Sequence, residues 1–447
     1  MSRPSHLFYQ TRLRRPLVDR AEGIYLWDRD GRRYIDGSSG AMVVNIGHGN
    51  PRVLAAMERQ LRRVTFAYRL HFENEPAEQL AAELARLLPH GLDRVFFVSG
   101  GSEAVESCLK LARQHALAIG QAQRYKVISR FPSYHGATLG ALAVTGYTPL
   151  SAPFDPMMRP MPKIPAPSCY LDRDQLSMAE RGLRYARMLE EEILRQGPQT
   201  VLAFIMEPIG GASTGALVAP DSYYPQVREI CDRHGVLLIA DEVMCGAGRT
   251  GSYLGSQHWD LRPDMVALSK GMASGYCPLG ALVAPSSLVE PVLRAGGFSH
   301  GYTYAGNPLA CAAGLAVLGE TLEQDLPGNA ARVGDYLKGR LAQLQGPFPF
   351  IGDVRGKGLL LAFELVADAE TLEPLEPALN AAQRIVDMAY ERGLILYARR
   401  TRGGLVGDHV MVCPPLITTR EQADELMGIL HGCLVDLARE LKLPVQT

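Results

Sequence analysis

Residues 94–118 read RVFFVSGGSEAVESCLKLARQHALA, and the change of period inside this stretch decides the class of fold. Arg94 to Ser99 is a short run of β-branched and aromatic residues, the composition of a strand. Gly100, Gly101 and Ser102 interrupt it, and from Glu103 the apolar residues recur at helical spacing. The same alternation continues along the chain. KVISR (126–130), TVLAFIM (200–206), GVLLIA (235–240), MVALS (265–269) and GALVA (280–284) are near-continuous apolar runs, as in a sheet covered on both faces. Segments between them, such as DSYYPQVREICDRHG, have helical spacing and a terminal glycine. These features predict an α/β protein with a mainly parallel central sheet in a large domain.

Outside this region the texture differs. The start, MSRPSHLFYQTRLRRP, is rich in arginine but lacks the sustained amphipathic pattern of a transit peptide, and it reads as a draped arm. GIYLWDRDGRRYIDG follows as a hairpin with Asp30-Gly31 at its turn. Six prolines in residues 153–167 mark a long ordered surface loop. Beyond residue 323, helices expected over 329–345, 378–392 and 419–442 alternate with GLLLAFEL, LILYA and HVMVCPPL, which predicts a smaller C-terminal α+β domain. The expected division is an arm and hairpin (1–60) packing with the small domain, a large domain (61–323) and the small domain (324–447).

Composition narrows the function. The 447 residues are 47% apolar and 21% charged, with a net charge of −1. No field of one sign is available for nucleic acid or anionic lipid. No apolar run approaches the ~20 residues of a membrane span. The eight cysteines include no CxxC pair, which argues against a zinc site and a disulfide framework and points to the cytoplasm.

Four features fall at or just after the ends of expected strands, the edge where open α/β sheets bind ligands. Gly100, Gly101 and Ser102 lead into a helix that begins near Glu103, whose free N–H groups and dipole suit a phosphate; taken alone, the same residues read better as a tight turn with Ser102 as the helix cap. Tyr134, His135 and Gly136 follow KVISR, where an aromatic either stacks on a planar ligand or packs on its own loop. Asp241 ends GVLLIADEV, a costly place for a carboxylate without a cationic or hydrogen-bonding partner, and Val243 points to the same side. Lys270, one of only seven lysines among 46 basic residues, follows MVALS and opens SKGMASGYCPLGA. Its small neighbours offer little apolar stem for a snorkelling lysine, and the setting suits an amine kept short of water. One ligand accounts for all four: pyridoxal 5'-phosphate, with its phosphate, planar ring, basic ring nitrogen and aldehyde. Lys270 would form the Schiff base and then act as base, and Asp241 would keep the ring nitrogen protonated.

At these residues the sequence resembles the class III pyridoxal-phosphate aminotransferases, the omega-aminotransferase group of fold type I. YLWDRDGRRYIDG, VSGGSEAVESCLKLAR, YHGAT, MEPIGG, LLIADEVMCGAGRTG, ALSKGMASGYCPLGA, HGYTYAGNPLACAAGLAVL and VRGKGLLLAFEL occur in the family's order. The resemblance implies Val243 behind the ring, Tyr134 in front, Gly101 and Ser102 on the phosphate and Glu207 close to the cofactor. It also implies that Thr303 reaches the phosphate from a neighbouring subunit, hence a homodimer with active sites at the interface, pairing into a tetramer being left open. The activity implied is ping-pong transfer of an amino group from a primary amine or omega-amino acid to pyruvate or another 2-oxo acid. A 2-oxoglutarate-dependent transfer, an aminomutase and a decarboxylating transaminase are the alternatives within the cofactor class. A nicotinamide dehydrogenase does not fit, because SGGSEA is not GxGxxG. Two departures bear on substrate. Ala212 and Met411 stand where many 2-oxoglutarate users have a glutamate and an arginine. Arg402 is a candidate for the mobile arginine of the amine:pyruvate relatives, or else a solvated loop arginine, and Met42 replaces a frequent tryptophan.

Overall fold

The central sheet runs in the spatial order Arg94–Val98, Gly280–Ala284, Met265–Leu268, Leu237–Asp241, Val201–Met206, Lys126–Phe131 and Lys163–Pro165. The coordinates are a computed structural model that describes residues 5–446; the first four residues of the arm and residue 447 lie outside them. All neighbouring pairs are parallel except those of Gly280–Ala284, which is antiparallel to both its neighbours. GALVA is buried at every residue, so its direction leaves no mark in its composition. The proline-rich loop is less irregular than expected. Lys163–Pro165 pairs with Lys126–Phe131 at the sheet edge, where a residue lacking an N–H is tolerated.

Alternate residues of each strand face opposite layers. Ala203 and Ile205 pack with Val105, Cys108 and Leu111 of the helix Gly101–Ala118. Phe204 and Met206 pack instead with Leu189, Val227 and Ile230, from the helices Met178–Gln196 and Tyr223–His234. Near the other edge, Val266, Leu268 and Val283 meet Leu80, Leu84 and Cys311, from the helices Glu75–Leu87 and Pro308–Glu323. Each fully buried aliphatic side chain contributes about 1.5–3 kcal/mol. The strands are therefore fixed in place, and their C-terminal turns become the variable part.

A second sheet places Ile351–Lys357, Leu360–Asp368, Val406–Val412 and Tyr397–Arg402 side by side and antiparallel. The helices Leu326–Gln343, Ala381–Glu391 and Arg420–Leu441 cover it around Leu337, Phe363, Ile385, Val410 and Leu430. Ile24 and Ile35 of the N-terminal hairpin enter the same cluster, and Leu394–Ile395 pairs with the hairpin strand Arg33–Asp36. The hairpin turns where expected, with Gly31 at φ +80°. Among the described residues no helix is long and apolar enough to cross a membrane, and no group of His, Cys, Asp and Glu could hold a metal ion.

Candidate active site

Five turns at one edge of the central sheet converge on a cavity of about 160 Å³. Gly101 and Ser102 enter after Arg94–Val98, Tyr134, His135 and Gly136 after Lys126–Phe131, and Glu207 after Val201–Met206. Asp241 and Val243 come from the end of Leu237–Asp241, and Lys270 from the turn after Met265–Leu268. Asp241 pairs in register with Ala267 on the adjacent parallel strand, so the acid and the amine leave the sheet side by side. That adjacency is a consequence of parallel order, since consecutive parallel strands end at the same edge.

Local chemistry shapes each wall. The helix Gly101–Ala118 has no side-chain cap, so its first N–H groups are left for a ligand. A Cβ at Gly101 would stand 2.7 Å from Val243 Cγ1, so only glycine allows this close approach. The Ser102 hydroxyl accepts a hydrogen bond from the Ala137 N–H at 3.0 Å, tying the two loops together. Lys270 itself has φ +47°, a left-handed conformation that costs a non-glycine residue about 1–3 kcal/mol. Asn45 leaves no room for a side chain at the next residue, because a Cβ on Gly271 would meet Asn45 Nδ2 at 2.1 Å.

The cavity concentrates buried charge. Asp241 is 4% exposed; its Oδ2 lies 2.7 Å from His135 Nδ1, and its Oδ1 accepts from the Val243 N–H. Burial raises the Glu207 carboxyl above its ordinary range, against the opposing pull of His135 and Arg130, and Gly211 N–H donates to its Oε1. Burial lowers the Lys270 amine, although Asp241 and Glu207 favour its charged form. His135 Nε2 and Glu207 Oε2 are buried without a hydrogen-bond partner among the described residues. Groups so arranged are costly unless a ligand or water completes them.

The remaining candidates lie elsewhere. Gly100 is the N-cap residue just outside the lining. Thr303 is exposed on the turn before the helix Pro308–Glu323. Met42 is buried with φ +55°, in an apolar cluster with Met411 and Cys413 against which Ala212 and Met244 pack. Ala212 and Met244 line the cavity, so its wall on that side is apolar. Arg402 is not brought to the cavity: its Nη2 donates to the Leu372 carbonyl at 2.7 Å, and it lines a separate cleft with Phe131, Tyr170 and Thr401. Sequence reasoning missed Met244 in the lining, and Arg130, whose guanidinium donates to the Glu207 carbonyl. A charged residue at the C-terminal end of the strand run KVISR was the available signal for Arg130.

A buried amine, a buried carboxylate and an uncapped helix start at one sheet edge fit the aldehyde, ring nitrogen and phosphate of one cofactor, pyridoxal phosphate. The chain belongs to the class III aminotransferases, whose family profile matches residues 9–434. It is 39% identical over 436 residues to an uncharacterized aminotransferase of Bacillus subtilis, covering 96% of each chain. Putrescine–pyruvate aminotransferase of Pseudomonas aeruginosa is 36% identical, over 94% of this chain and 90% of that one. The structure of an amine transaminase from an uncultivated Pseudomonas species, in its PLP-bound form, superposes with a TM-score of 0.91 at 36% identity, covering 97% of this chain and 99% of that one. The protein is thus a pyridoxal-phosphate-dependent aminotransferase with the α/β transaminase fold.

Proposed function

We propose that the protein moves the amino group of a primary amine or omega-amino acid to pyruvate or another small 2-oxo acid, in two half-reactions at the Lys270 pocket. The observation that supports this choice is the apolar wall of Ala212 and Met244 backed by Met42 and Met411, which offers no cation for the second carboxylate of a larger dicarboxylic acceptor. Residue roles follow from chemistry. The N–H groups that open the helix at Gly101 and Ser102 bind phosphate, with Gly100 giving the backbone its approach. Tyr134 and Val243 enclose a flat ring from two sides. Asp241, oriented by His135, holds a proton at the ring nitrogen, and Glu207 takes part in the same buried charge set. The bound cofactor supplies a carbonyl that condenses with amines and a ring that accepts electrons. Lys270, its amine biased toward the neutral form by burial, is the nucleophile and the group that moves the proton at the reacting carbon.

Thr303, exposed on its own subunit, is assigned to the phosphate of a second copy, which makes the working unit a homodimer with two shared sites. The absence of paired cysteines among the described residues supports a cytoplasmic setting. The test is product analysis. Purified enzyme incubated with pyruvate and a panel of amines should form alanine and the matching aldehyde or oxo acid. Carbon dioxide without alanine would indicate decarboxylation instead, and no alanine from any donor would remove the proposal.

A further inference from the structure

Arg249 is the largest of the fully buried side chains, and it lies outside the cavity lining. Its Nη1 donates to the carbonyls of Leu359, Cys413 and Pro414, and its Nη2 to Ser39 Oγ at 3.1 Å and Asn45 Oδ1 at 2.7 Å. Every one of these acceptors is neutral, and among the described residues Nε is buried without a partner. Asp36 is within electrostatic reach, but it accepts instead from the Ser38 and Gly40 N–H groups and faces His48. Burial lowers the guanidinium to about 10, which leaves it charged at neutral pH. A buried cation is ordinarily met by a carboxylate, because an uncompensated charge in the interior is costly.

The same side chain reaches the turn of Lys270 through Asn45. With its Oδ1 on the guanidinium, Asn45 donates from Nδ2 to the Ala247 carbonyl at 2.8 Å, so both ends of the amide are fixed. That amide backs Gly271, where a Cβ would stand 2.1 Å from Asn45 Nδ2 and 3.0 Å from Ala247 Cβ. The Ile46 N–H donates to Ser274 Oγ, and the Ser274 N–H closes the turn on the Lys270 carbonyl at 3.0 Å. Lys270 and Ser274 have φ +47° and +50°, conformations that persist only where the surroundings hold them. Asp241, Glu207 and Cys245 favour a charged Lys270 amine, and Arg249 opposes it. The Cys245 and Cys413 thiols that face the amine are pushed up by burial and stay neutral; Tyr134 and His135 are the other titratable groups of the lining.

We infer that Arg249 is a positioning residue for Lys270: through Asn45 it braces the turn that carries the amine, and its uncompensated charge opposes a second cation in that buried site. The inference rests on Lys270 as the nucleophile of the transaminase reading and adds what keeps its amine placed and neutral. The brace draws on three parts of the chain, since Ser39 and Asn45 precede the large domain and Leu359, Cys413 and Pro414 belong to the C-terminal one. A carboxylate beside Arg249 would remove the cost of the bare charge, but it would also cancel the field at the amine.

The test is a pH titration of the visible absorption band of the holoenzyme, which reports the proton on the Lys270 nitrogen joined to the cofactor. Arg249→Gln, which removes the charge, should move the midpoint upward by about one pH unit. Arg249→Lys keeps the charge and loses the fork, so the midpoint should stay within about 0.3 unit while kcat falls. Asn45→Ala keeps the guanidinium and removes the brace; kcat should fall about ten-fold, with KM for the amine donor unchanged within about two-fold. An Arg249→Gln midpoint that does not move, or an Asn45→Ala kcat equal to that of the wild type, overturns the inference. Where Arg249→Gln does not fold, Asn45→Ala decides by itself. A band that survives Lys270→Ala removes the Lys270 reading and the inference with it, whereas a band lost in Lys270→Ala but unmoved in Arg249→Gln removes the inference alone.

Discussion

Two groups of buried charge sit in this molecule, and they are completed differently. In the C-terminal sheet, Arg355 pairs with Asp353 at 2.7 Å and Glu364 at 2.8 Å, and donates to the carbonyls of Gly215 and Thr214. Tyr170 donates to Glu364 and lies under the Arg355 guanidinium, and Thr401 reaches the other Glu364 oxygen. This group is complete in itself. At the edge of the central sheet, His135 and Glu207 line one cavity with Lys270, and His135 Nε2 and Glu207 Oε2 have no hydrogen-bond partner among the described residues. A buried charge set that satisfies itself stabilises a fold only in part, through geometry; one left unsatisfied is prepared for something that arrives.

Substitutions can break or sharpen this contrast. Lys270→Ala should reduce amino transfer by at least about 10³-fold, read as kcat/KM, with little loss of thermal stability because it removes a desolvated amine. A marked drop in melting temperature would place Lys270 with the scaffold instead. Arg355→Met should do the reverse, lowering unfolding free energy by about 3–5 kcal/mol in denaturant titration because Glu364 is left buried and unpaired. The double variant Arg355→Met, Glu364→Leu should recover part of that loss. Asp241→Asn should preserve the fold and reduce turnover by roughly 10²-fold, since a neutral amide cannot hold a proton on a ring nitrogen.

The smallest effect concerns His409, fully buried beside Arg355, with its side chain against Gly215. Burial, reinforced by the Arg355 charge, lowers its pKa from 6.5 to about 3. Between those values the unfolded chain binds the proton and the native one does not, so stability is lost as pH falls below about 6.5. By pH 5 this single group accounts for about 2 kcal/mol relative to neutrality. Stability curves of the wild type and His409→Phe should therefore converge on acidification by that amount; parallel curves would show that the imidazole does not titrate this way.

How far the site could be read from the sequence depends on the kind of constraint. Asp241 and Lys270 each follow an apolar run too short for a helix, so their place at a strand end is a local property. The arginines of the second sheet are different. Arg399, Arg400 and Arg402 lie within four positions of one chain segment, and only strand register decides which meets the Tyr397 phenol, the Asp408 carboxylate or the Leu372 carbonyl. The resemblance offers Arg402 as a substrate arginine or else a solvated loop arginine, and the structure sets its guanidinium on the Leu372 carbonyl. GALVA shows the same limit: complete burial was legible, but its antiparallel direction was not.

The amino-acid sequence by itself determined the strand–turn–helix order, the chemistry at each strand end and the family, because apolar period and residue type act over a few neighbouring positions. Tertiary structure alone decided which charges are completed from within and which are left open, that Arg402 lines a separate cleft, and that Met42 and Met411 pack behind the wall of Ala212 and Met244. Those outcomes depend on contacts between segments 106 to 194 residues apart, such as His135 with Asp241 or Tyr170 with Glu364, whose geometry no local pattern encodes.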